Sequence, residues 1–143
     1  MILETAQILS TNCHLANLTD APYKKTHQNH PCTVWARQSY ANTNWLIDHF
    51  NALSGEYTHR FNKIHKSSQY LQYFIDSSKK LALEGFYPNQ GMSEFASCVA
   101  DDLKTLQLSV TEKYRAYMKM KWVADQSSKR HAKWTNTNQP NWL

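Results

Sequence analysis

The chain has 143 residues, 41% of them apolar and 13% aromatic, and a formal net charge of +5. Three glycines and four prolines are too few for a turn-dense all-β protein, and the length fits one domain around one core. No apolar run approaches the roughly 20 residues of a membrane span. The start has neither a basic n-region nor a small-residue cleavage site, and the three cysteines are an odd number without a close pair, which suits a reducing compartment. The expectation is a cytoplasmic protein.

Residues 1–16 read as a helix, because Ile2, Ala6, Leu9 and Cys13 fall on one stripe at i, i+4, i+7 and i+11. Glu4 lies well round from the middle of that stripe, and a first-turn carboxylate also suits the helix dipole. Asp20, Pro22, Asn29 and Pro31 mark a loop over 17–31 that carries Lys24, Lys25, His27 and His30, two ammonium groups and two imidazoles suited to an anion. His30 precedes proline and is driven to extended geometry, which aims its ring back over the next helix.

Pro31 opens a short helix to Gln38, at the position proline favours, and brings Trp35 and Arg37. The next helix starts after Ser39 as N-cap and runs toward Ser54-Gly55. Its periodic face is Trp45, Asp48 or His49, and Ala52, with Leu46, Phe50 and Leu53 beside it. Glu56, Arg60 and Ile64 continue at i+4, so the glycine kinks this helix rather than ending it. Tyr57, Phe61 and Ile64 are expected core, and His65 and Lys66 close the helix where positive charge is favoured. Glu56 and Arg60 are spaced for an ion pair.

Residues 68–83 read as another helix and 85–91 as a loop. A short helix is expected to open at Met92 or Ser93 and to end near Asp101-Asp102. A long one, capped by Thr111, runs through Trp122. Past Ser127-Ser128 a second basic turn leads to Trp134, and Trp142 docks the polar tail. The expected fold is all-α, a compact single-domain helical bundle over 1–143 with a basic C-terminal helix.

Charge is unevenly spread. Residues 1–110 hold nine Lys/Arg and nine Asp/Glu, whereas 111–143 hold seven against two. The C-terminal cations include Arg115, Lys119 and Lys121, interleaved with Tyr114, Tyr117, Trp122, Trp134 and Trp142. Cations neutralise phosphates and aromatic faces stack on bases, so this composition suits nucleic acid. A solvated helix with inward-packed aromatics has the same composition. His27, His30 and Cys32 share one loop, but without CxxC or HxxxH spacing to fix zinc geometry no metal or other cofactor is assigned.

Three segments carry a family resemblance: MILETAQILST at 1–11, YKKTHQNHPCTVWARQS at 23–39 with EYTHRFNKIHKS at 56–67, and KYRAYMKMKW through KWTNTNQPNW at 113–142. Together they resemble a group of small bacteriophage proteins that is similar, distantly, to the phage pyrimidine-dimer DNA glycosylases of the endonuclease V type. The resemblance implies a compact helical enzyme that cleaves the glycosidic bond of a damaged pyrimidine and then nicks the backbone. Glu4 matches the family's catalytic Glu, while the two arginines that flank it fall on Leu3 and Gln7. The family's nucleophile is the α-amine at the chain start, here that of Met1.

Three functions follow. A glycosylase–lyase needs an extruded base, a carboxylate near C1′ and cations on flanking phosphates. Glu4 takes the carboxylate role, Lys24, Arg37, Arg60, His65, Lys66, Arg115, Lys119 and Lys121 hold phosphates, and Trp35 or Tyr117 fills the stack. A DNA base-hypermodification enzyme would instead use His30, Glu56, Arg60 and His65 for acid–base work with the sugar bond intact. A non-catalytic DNA-binding or virion-associated accessory protein would need only the basic helix. In each case DNA is the partner.

Overall fold

The apolar stripe of the first helix, α1 (Ile2–Leu15), is buried along its length at Ile2, Ala6, Leu9 and Cys13. Burial pushes the Cys13 thiol up to about 11. The computed structural model describes residues 1–128 and 133–143, and the fold is all-α. Among those residues there is no strand, only a bridge between Ser39 and Asn89. The chain divides into two units, Met1–Ser93 and Glu94–Leu143.

In the first unit, α2 (Pro31–Arg37) begins at its proline, and the His30 Nδ1 accepts from the Cys32 N–H at 3.2 Å. Helix α3 (Tyr40–Phe61) is capped by Ser39, whose hydroxyl accepts from the Asn42 N–H at 3.0 Å. It runs through Gly55 and stops at Phe61, because Asn62 turns left-handed at φ 50° and its N–H closes on the Thr58 carbonyl at 2.8 Å. Asparagine is one of the few side chains that tolerate that conformation. The expected continuation to Lys66 is therefore corrected. His65 caps a separate 3-10 turn (Lys66–Tyr70) by accepting from the Ser67 N–H at 3.1 Å. Helix α4 (Leu71–Leu83) follows directly.

The buried face of α3 also differs from expectation. Asn42, Thr43, Leu46, Ile47, Phe50 and Ser54 are buried, while Trp45, Asp48 and Ala52 are exposed. The reason is polar: Asn42 Nδ2 donates to the Trp35 carbonyl at 2.8 Å and the Thr43 hydroxyl to that of Ala36 at 2.7 Å. Satisfied in this way, polar side chains enter a core that hydropathy alone would deny them. Past Ser54 no residue of α3 is buried, so Phe61 and Ile64, expected inside, stand at 50% and 80% exposure. The unit's centre is the edge-on pair Phe50–Phe74, with centroids 5.7 Å apart.

In the second unit, α5 (Asp101–Lys104) is short and α6 (Val110–Gln126) is long. The helix expected from Met92 or Ser93 does not form. Ser93, the last residue of the first unit, is held within that unit by Asn42, whose Oδ1 accepts its N–H at 3.0 Å and whose Nδ2 donates to its hydroxyl at 2.7 Å. Further on, the Tyr114 hydroxyl accepts from the Cys98 N–H and donates to the Ala96 carbonyl. The Cys98 N–H and the Ala96 carbonyl are thereby taken from a helical ladder. The cap of α6 is Ser109, not Thr111, in a capping box with Glu112. The Ser109 hydroxyl and N–H hold the Glu112 carboxyl below its usual range. No residue of α6 is buried. The basic turn read at Lys129 and Arg130 lies outside the described residues. Among those described, no helix is long and apolar enough to cross a membrane.

Phe50 is fully buried against Phe74, so Phe50→Ala should cost about 3–5 kcal/mol through the cavity it leaves. Urea unfolding followed by far-UV circular dichroism measures this. A loss under 1 kcal/mol would place the core elsewhere.

Candidate functional site

The loop between α1 and α2 is positioned by polar side chains of α1. The Thr11 hydroxyl donates to the Thr26 carbonyl at 2.9 Å and accepts from the Thr26 N–H at 3.1 Å, so one buried hydroxyl satisfies both backbone groups of a loop residue. One residue before it the Ser10 hydroxyl accepts from the Tyr23 N–H at 3.3 Å, and about one turn after it His14 donates Nε2–H to the Tyr23 carbonyl at 2.9 Å. The Tyr23 hydroxyl in turn shares a 2.7 Å hydrogen bond with Ser67. Beyond Thr26 the chain turns sharply, with His27 left-handed at φ 47° and the His30 N–H on the His27 carbonyl at 2.9 Å.

This arrangement lays Thr26, His27, His30 and Thr33 against Met1, Glu4, Gln7 and Ile8 of the first two turns of α1, around a cleft of about 430 Å³. The Met1 ammonium and a Glu4 carboxylate oxygen are 2.6 Å apart. His27 Nδ1 shares a 2.7 Å hydrogen bond with the Thr26 hydroxyl. Thr33 is 1% exposed, and its buried hydroxyl has no hydrogen-bond partner among the described residues. An amine, a carboxylate and two imidazoles thus share one opening. They can exchange protons with a bound molecule and oppose charge of either sign that develops on it.

The remaining residues singled out in the sequence are dispersed. Arg37 donates Nη1–H to the Gln28 carbonyl at 2.7 Å, so it braces the histidine loop from α2. Lys24 and Lys66 are exposed. Glu56 and Arg60 form the spaced ion pair, with Nε 2.6 Å from Oε1, and His65 sits edge-on to Tyr57 at 5.2 Å. Glu56, Arg60 and His65 do not line the cleft that His30 lines, so the four groups of the base-modification reading do not share this cavity. Trp35 is core, 5% exposed and edge-on to Trp45. It is the Trp45 indole that reaches the surface, stacked on His49 at 5.2 Å, and burial lowers the His49 pKa.

In the second unit, Arg115, Lys119 and Lys121 are exposed on α6. The Lys121 ammonium lies 4.7 Å over the Tyr117 ring, so a cation already covers that face. Trp122, Trp134 and Trp142 line an apolar groove of about 610 Å³ with Met118. The sequence marks His27 only as part of an anion-binding or metal-ligating loop and Gln7 only as the position of an arginine in the resembled family, and it does not single out Ile8, Thr26 or Thr33. The available signal is the uninterrupted polar run Ser10-Thr11-Asn12 in the first helix. Comparison with protein-family models, with curated proteins and with solved structures finds no match to this chain.

Because Arg37 ties the loop at Gln28, Arg37→Ala should speed amide exchange over residues 26–30 about fivefold, the equivalent of about 1 kcal/mol for a part-exposed charged hydrogen bond. Exchange in α3 should stay unchanged. Equal protection of the loop in both proteins would mean that α1 alone holds it.

Proposed function

We propose that the chain binds DNA and acts on a pyrimidine nucleotide as a glycosylase–lyase, with the cleft at the start of α1 as its reaction site. The observation that carries this reading is the Met1 amine beside Glu4, 2.6 Å away, in a cleft that also presents His27 and His30. In its neutral form the amine attacks C1′ of an extruded nucleotide. The C1′–N bond breaks, its electron pair leaves with the base, and the base takes a proton from His30. The new C–N linkage loses a proton and the C1′–O4′ bond opens, with O4′ taking a proton, to leave an iminium cation that the Glu4 carboxylate opposes. The iminium acidifies the C2′–H; His30, having given its proton to the base, takes this one, and the C3′–O bond breaks with its electron pair on the departing 3′ phosphate, which nicks the strand.

Phosphate contact is assigned to the exposed cations: Arg115, Lys119 and Lys121 on α6, and Lys24 and Lys66 in the first unit. These supply the sequence-independent, salt-sensitive part of affinity. With α6 burying no residue, its exposed cations are left for a partner to cover.

Incubation with duplex carrying one cyclobutane pyrimidine dimer, in cold borohydride, should reduce the iminium to a stable protein–DNA adduct on a denaturing gel. Glu4→Gln should lower adduct yield by about 100-fold or more with binding within a few-fold of wild type. A short N-terminal extension that moves the amine should abolish the adduct. Full trapping in either variant would remove the cleft from the chemistry, and binding without turnover would leave a non-catalytic DNA-binding protein.

Replacing Lys119 and Lys121 together by alanine should reduce the slope of log affinity against log salt by roughly 1.8, about 0.9 per lost phosphate contact. An unchanged slope would make those lysines a solvated face.

A further inference from the structure

From the end of α3 to the middle of α4, residues 57–75, the chain has no acidic side chain, while it carries His59, Arg60, Lys63, His65 and Lys66. Ile64 stands at the turn of this segment, 80% exposed, with Phe61 beside it at 50%. An isolated exposed apolar residue needs no explanation. One held on a rigid, wholly basic turn has a more specific physical meaning. The turn is fixed at both ends: the Asn62 N–H is on the Thr58 carbonyl, the His65 Nδ1 accepts from the Ser67 N–H, and the Ser68 N–H is on the His65 carbonyl. Tyr57 braces it from below, with its ring 5.0 Å from that of Phe61 and 5.2 Å from that of His65.

We infer that Ile64 is a wedge that enters a base step of duplex DNA while Lys63 and Lys66 hold the flanking phosphates. A duplex is an anionic surface with an apolar interior open at its base steps, and apolar side chains that part such steps unstack and kink it. Charge complementarity selects this occupant. A second copy of the chain docked tip to tip would set Lys63 and Lys66 against like charges. A lipid surface asks for an amphipathic helix with a long apolar face, whereas here Thr58, His59 and Lys63 are exposed around the two apolar side chains. A single branched apolar side chain on a braced turn is the kind of wedge that parts a base step. This wedge rests on the DNA-binding reading above and adds to it the residue that unstacks the helix.

The test is a duplex with 2-aminopurine next to a TA step, which is easily unstacked, titrated with the full chain. Wild type should raise 2-aminopurine fluorescence several-fold. Ile64→Ala should lose most of that rise with affinity reduced less than tenfold, and Ile64→Leu should restore it. Lys63→Ala with Lys66→Ala should weaken binding across sequences and reduce its salt dependence. Because Ile64 stands in solvent, its replacement leaves folding intact. Binding by wild type without a fluorescence rise, or an equal rise in Ile64→Ala, overturns the wedge alone. No binding to duplex at all overturns the DNA reading and the wedge with it. Ile64-dependent sedimentation with phosphatidylserine vesicles, or Ile64-dependent dimerisation, with no change in the duplex signal, would assign the tip to a membrane or to a second copy instead.

Discussion

The reciprocal hydrogen bonds between Thr11 and Thr26 are the constraint on which the cleft depends. A loop of some fifteen residues between two helices has a large conformational freedom to lose, and its backbone groups need partners wherever α1 covers them. α1 supplies those partners from Ser10, Thr11 and His14, three side chains that an apolar helix face would not carry. The loop is thereby fixed along its length rather than at its ends, and the imidazoles of His27 and His30 come to lie over the first turns of the same helix. Position in the cleft is thus set by buried polar satisfaction, while the apolar stripe at Ile2, Ala6, Leu9 and Cys13 sets only which side of α1 faces the core.

The same division explains what could be read from the sequence. Elements that rest on apolar period or on a cap were legible: α1 from its stripe, α2 from Pro31, the start of α3 from Ser39 and the end of α4 at Leu83. Features that rest on polar burial were not. Asn42 and Thr43 are core because the last carbonyls of α2 need donors, and that rotates the buried face of α3 away from Trp45. Ser93 is tied to Asn42, which uses both of its own amide atoms on it, and no helix opens there. Among the site residues, Glu4 and His30 were legible and do share a cleft. Glu56 was not separable from them in one dimension, since i+4 spacing names its partner Arg60 but not the surface on which the pair stands.

Charge and shape divide in a similar way. The sequence places its net positive charge in the last quarter of the chain, and α6 displays it with no buried residue. The balance of the first 110 residues conceals a second basic surface, because the acids that neutralise it in the count lie outside residues 57–75. Glu56 and Asp76 flank that stretch in sequence; Glu56 pairs with Arg60, and Asp76 accepts from the Gln72 amide. Net charge over a long window is therefore a poor guide to local potential.

Glu4 is also the residue whose structural and chemical roles separate most cleanly. Its ion pair with the Met1 amine is exposed on both sides, and pairs of that kind are worth about 0–1 kcal/mol. The carboxylate adds a helix-dipole contribution of similar size, against a total domain stability of about 5–15 kcal/mol. A neutral amide at this position leaves the fold in place, so a change in chemistry there is a change in the cleft. Trp35 is the opposite case. At 5% exposure, edge-on to Trp45 and with its carbonyl on Asn42, it cannot be altered without disturbing the α2–α3 packing, and lost activity there would report on folding. The exposed tip at Ile64 belongs with Glu4. Where function is sought on this chain, the informative positions are those the core does not use.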